Sequence, residues 1–112
     1  MSKINNSEAI AAWSAMPAAA IAAYDDQGDF VKRHLINANL LRLLGPVEGR
    51  RVLDAGAGQG YFSRLLAEHG ADVVALEPAA ALIEQARSIE RERDQGIRYL
   101  QADLSDPETS GW

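Results

Sequence analysis

The sequence contains no cysteine, which excludes disulfide frameworks and thiolate zinc sites together. Basic side chains are few: 11 Lys and Arg stand against 16 Asp and Glu, and the net charge is -5. A chain with that balance lacks the basic face that neutralises nucleic-acid phosphates. Long apolar runs are missing too, so no segment is suited to cross a bilayer. The opening "MSKINNSEAIAAW" has no unbroken apolar stretch after its Lys, so no signal peptide is expected. These absences make the cytoplasm the expected compartment. Large core-forming side chains are also scarce, since hydrophobic residues make up 47% of the chain but 20 of them are Ala. At 112 residues the chain is long enough for one small domain with a modest core.

What is present divides near residue 28. Residues 1–28 read as a helical extension, with "NSEAIAAW" capped at Asn6 or Ser7 and a second short helix restarting at Pro17. Trp13, Ile21 and Tyr24 give these Ala-rich turns something to pack with. From residue 29, "FVKRHLINANLLRLL" places Phe30, Leu35, Leu41 and Leu44 near one stripe with Ile36, Leu40 and Leu43 beside it, and Gly45-Pro46 ends the helix. The pattern then changes. "RVLDA" is too short for a helix and reads as a buried strand, "YFSRLLAEH" as a helix with His69 in its last turn, and "DVVALE" as a second strand. "AAALIEQARSIERERD" puts Leu82, Ile83, Ala86 and Ile89 on one helix face, and "IRYLQAD" is a third strand. Short strands alternating with amphipathic helices predict a parallel sheet with right-handed crossovers. The fold class is therefore α/β, a Rossmann-like three-layer arrangement.

Gly56, Gly58 and Gly60 lie where the first strand turns into its helix. Lacking Cβ, they permit a tight turn and let a ligand lie against bare backbone. Each strand finishes close to an acid: Asp54, Glu77 and Asp103. An acid at the second strand's end can accept from both hydroxyls of a ribose, and one at the third can accept from an exocyclic amine. A dinucleotide fingerprint fits poorly. It needs a third Gly at position 61, where this chain has Tyr, and Asp54 would repel a pyrophosphate. A ligand bearing an ammonium and a sulfonium would instead be welcomed by Asp54.

"VLDAGAGQG", "VVALEP" and "YLQADL" resemble the first three motifs of class I S-adenosylmethionine-dependent methyltransferases, over roughly residues 29–106. "GDFVKRHLINANLLRLLG" is similar to the lead-in helix of the small-molecule members. The resemblance implies S-adenosyl-L-methionine as cofactor and a small-molecule methyl acceptor. It places the cofactor among Asp54, Gly56, Ala57, Gly58, Gly60, Glu77, Pro78, Ala102, Asp103 and Leu104. Gly56, Gly58 and Gly60 would line the methionine end, and Asp54 would face its amino group. Glu77 would hold the ribose hydroxyls, and Asp103 would read the adenine amine beside the Leu104 backbone. The chain departs from the family at Ala57, where many members carry Cys.

The family's sheet has seven strands, and residues 29–112 supply the amino-terminal half, in spatial order 3-2-1, with strands 4–7 absent. No catalytic residue and no metal ligand is expected from this half; Tyr24, His34 and Tyr61 are the side chains nearest the expected site. The first strand is expected to be a bare edge prone to self-association. Two other readings stay open: a non-enzymatic adenosine-ligand module, and a fragment of an NAD-binding oxidoreductase.

Overall fold

The computed structural model describes residues 6–22 and 36–105. The expected roles of Tyr24 and His34, and the stripe positions Phe30 and Leu35, fall outside these residues. Helix α1 (Asn6–Ser14) is followed by α2 (Ala18–Ala22), then α3 (Asn37–Leu44). Pro17 separates the first two helices. Lacking an N–H, it fits the start of α2, where its carbonyl accepts from the Ala20 and Ile21 amides at 3.0 and 3.1 Å. Asn6 does not cap α1 from outside; it is the first helical residue, and its side chain is used elsewhere. The α3 stripe is only partly realised. Leu41 packs on the core, while Ile36, Leu40, Leu43 and Leu44 are exposed and Asn37 is the buried residue.

Strands β1 (Arg51–Ala55), β2 (Asp72–Leu76) and β3 (Arg98–Leu100) form one parallel sheet in the order β1-β2-β3. Helix α4 (Tyr61–Glu68) connects the first pair and α5 (Ala80–Arg93) the second. The register pairs Arg51 with Asp72 and Ala55 with Leu76, so β1 and β2 end level. That alignment is what brings the turn after β1 beside Glu77. Strand β2 is central and buried along Val73–Leu76, as its unbroken apolar run requires. Strand β1 is not buried as expected of it. Its residues alternate between exposed and half-buried, and among the described residues it pairs with β2 alone.

Strand β3 is shorter than "IRYLQAD" suggests. It stops at Leu100, with two further ladder bonds, Glu77 N–H to Leu100 O at 3.1 Å and Ala102 N–H to Glu77 O at 3.3 Å. Asp103 therefore sits in the loop beyond the strand. The main core gathers Leu66, Val73, Ala75, Ile83, Ala86, Ile97 and Tyr99 between the sheet and its helices. A smaller cluster joins Ile21 of α2 to Ala79 and Leu82. It seats the amino-terminal helices on α5. His69 lies just past the last turn of α4, its Nδ1 2.8 Å from the Leu65 carbonyl.

Candidate functional site

The glycine turn between β1 and α4 is held on three sides. The amides of Gly56 and Ala57 both donate to the carbonyl of Leu76, each at 2.9 Å, tying the turn to the neighbouring strand. The Gly58 N–H donates to Glu77 Oε1 at 2.9 Å, and Ala79 N–H donates to Glu77 Oε2 at 2.8 Å. Glu77, 7% exposed, thus spans from the turn to the start of α5. On the far side, the guanidinium of buried Arg64 donates to the Gln59 carbonyl at 2.7 Å and to its side-chain oxygen at 2.6 Å. Gly56, Gly58 and Gly60 all have positive φ, at 71°, 61° and 91°. At Gly60 the requirement for glycine is double. A Cβ there would lie 2.6 Å from the Tyr99 hydroxyl, so the start of α4 rests directly on β3.

Asp54, on β1, accepts from the Ser63 hydroxyl at 2.6 Å. Burial raises its affinity for a proton, the Ser63 bond works against that, and the nearby Glu77 charge adds to it. The protonated form favours the fold, so this contribution is full below the ordinary carboxylate range and is lost as pH climbs through the raised value. A cationic ligand group beside Asp54 would pull the other way. Asp103 accepts from the Ser105 amide and hydroxyl, each at 2.9 Å, and from the Asn6 carboxamide. The Ser105 bonds chiefly hold its carboxyl below the usual range.

Above the turn lies a cavity of about 480 Å³. Of the residues singled out in the sequence, Gly56, Ala57, Gly58, Glu77 and Pro78 line it, as does Tyr61. Asp54, Gly60, Ala102, Asp103 and Leu104 are not part of that lining, although Asn6, which is, bonds to Asp103. Sequence reasoning missed Gln59, Ala79 and Leu82, and above all Asn6, Ala9, Ile10 and Trp13 of α1. Those four residues share one helix face, but the Ala around them leaves that face unmarked in the sequence. The cavity suits a nucleoside with a flexible polar tail. A Cβ placed at Gly56 or Gly58 would meet nothing within 4 Å, so bare backbone borders open space, with the Glu77 carboxylate beside it. Among the described residues no group of three His, Asp or Glu is placed to hold a metal ion, and no helix is long and apolar enough to cross a membrane.

A parallel sheet whose first turn is glycine-built, with an acid past the second strand, defines the nucleotide-binding α/β class. Comparison narrows this further. A family model described as "Methyltransferase domain" matches residues 52–111. The chain belongs to that family, whose cofactor is S-adenosyl-L-methionine. It is 35% identical over 88 residues to a ubiquinone biosynthesis O-methyltransferase of Alkalilimnicola ehrlichii, covering 75% of this chain and 36% of that protein. It is 36% identical over 88 residues to a 23S rRNA (uracil(1939)-C(5))-methyltransferase of Pseudomonas syringae pv. tomato, covering 73% and 20%. Among solved structures it resembles an S-adenosylmethionine-dependent methyltransferase from Mesorhizobium loti with a TM-score of 0.56 and 37% identity, over 62% of this chain and 31% of that one. The chain thus spans about a third of the first relative's length and a fifth of the second's.

Proposed function

We propose that this chain is the cofactor-binding part of a methyltransferase that acts on a small molecule. The observation that carries the reading is the bare Gly56 and Gly58 backbone facing a cavity walled on one side by Glu77. When bound, S-adenosylmethionine supplies a methyl group already activated by its sulfonium, so the protein's part is chiefly to hold and orient. The turn offers its backbone to the ligand's tail, and Asp54 supplies negative charge behind it. Each Glu77 oxygen accepts one backbone N–H and keeps a lone pair for a ribose hydroxyl. Asp103 already accepts from a planar amide NH₂, that of Asn6, which is the geometry an adenine amine would bring. Helix α1 belongs to this site, because four of its residues line the cavity. The described residues offer no general base, and none is required of them for donor binding.

The small-molecule acceptor is favoured by charge. At a net -5 the chain offers little to an RNA backbone, although one relative modifies rRNA. Association through the free edge of β1 belongs to the same reading. Calorimetric titration separates the remaining alternatives. S-adenosylhomocysteine is expected to bind more tightly than NAD, and NAD as the better ligand would overturn the methyltransferase site.

A further inference from the structure

Helix α1 is held in place by very little of its own. None of its nine residues is buried, and a helix of that length is not stable alone in water. Its largest side chain, Trp13, is 51% exposed, an unusual state for an indole on an otherwise Ala-rich element. Yet α1 is not turned outward. Ala9, Ile10 and Trp13 line the cavity together with Gly56, Pro78 and Leu82. The amino end of α1 is pegged beside the loop after β3, where Asn6 donates to Asp103 and, at 3.2 Å, to the Ser105 hydroxyl. The arrangement is a slot whose lining includes the apolar Pro78 and Leu82 and a half-covered indole, while Asp103, outside that lining, is bonded to Asn6.

We infer that Trp13 is a specificity-determining residue: its indole covers the base of the bound adenosyl ligand. This rests on the adenosyl-ligand reading above and assigns one further residue to it. An indole in that position selects a flat aromatic base, because every base offers a π-face and an aliphatic group does not. It also accounts for α1. The apolar area Trp13 leaves open is covered only when a ligand fills the slot, so occupancy and the seating of α1 support each other.

The test compares S-adenosylhomocysteine with S-ribosylhomocysteine, which keeps the ribose and amino-acid tail but has no base. In the parent chain the base should favour S-adenosylhomocysteine at least tenfold. In Trp13→Ala that preference should fall to about threefold or less, the loss falling chiefly on S-adenosylhomocysteine, while Trp13→Phe keeps most of it. A slightly lowered melting temperature is expected for Trp13→Ala, since about half the indole is covered, so the ligands are compared well below it, with Trp13→Phe as the packed control. A second readout needs no substitution in the site. The chain has two tryptophans, so Trp112→Phe leaves Trp13 as the sole indole emitter; its fluorescence should shift to the blue or quench with S-adenosylhomocysteine and stay constant with S-ribosylhomocysteine. Equal base preference in parent and Trp13→Ala, or an emission spectrum blind to the base, overturns the assignment while leaving the cofactor reading intact. Failure of the parent chain to bind S-adenosylhomocysteine at all removes both.

Discussion

Glu77 shows how a single side chain can serve the fold and the ligand together. From sequence it is a strand-end acid whose removal should cost binding alone. In the structure both its oxygens are already in use, on the Gly58 and Ala79 amides, in a nearly fully buried position. Glu77→Ala leaves one buried and one part-buried N–H donor, those of Ala79 and Gly58, without their acceptor. The loss of a buried charge returns some desolvation energy, but the orphaned donors decide the sign, and the net cost is roughly 2–4 kcal/mol. The expected outcome is therefore a lowered melting temperature as well as affinity for S-adenosylhomocysteine weakened at least tenfold. Denaturant unfolding of the variant beside the parent checks the first, calorimetry the second. A parent-like midpoint would mean that water takes over both amides.

At the scale of elements, the turn into α4 is the most tightly specified joint in the molecule. Gly58 and Gly60 both have positive φ, yet the two are not equivalent. A Cβ at Gly58 points into open space, whereas one at Gly60 meets the Tyr99 ring at 2.6–3.0 Å. Gly58→Ala pays for backbone strain alone, about 1–2 kcal/mol; Gly60→Ala adds a displaced, buried Tyr and should destabilise at least twice as much. Equal unfolding midpoints for the two variants would remove the steric argument. The turn itself was legible in the sequence because glycine spacing and the change from strand to helix pattern are local signals. The parallel sheet was legible for the same reason, and its strand order from the family resemblance. The Tyr99 contact was not, because nothing in the glycines announces which side chain of a later strand will lie beneath them. Nor was the early end of β3 at Leu100, which the apolar pattern runs past, or the role of α1. Its apolar residues are diluted by Ala, so its period says helix without saying which face has work to do. In α3 the stripe was legible, but most of it is exposed among the described residues.

For the whole molecule, the decisive feature is that β1 has one described neighbour. Its residues carry no Pro, and Leu53 is 38% exposed along an edge that no other described strand pairs with. Sedimentation at micromolar concentration should detect a dimer or larger species, and hydrogen exchange should find the Val52 and Leu53 amides protected in it. A folded monomer whose Val52 and Leu53 amides exchange freely would show that the edge is tolerated in water. The same sheet has a consequence in time. Every bond that shapes the glycine turn, to Leu76, Glu77, Arg64 and Ala79, is made within residues 51–79. Such short-range contacts close small loops and form early in folding. The wall opposite is of another kind, since Asn6 reaches Asp103 across 97 positions of chain. The cradle's hydrogen bonds are thus local in sequence, and the bond that pegs its cover is not. The ligand's seat and the wall over it are specified by stretches of chain that lie far apart.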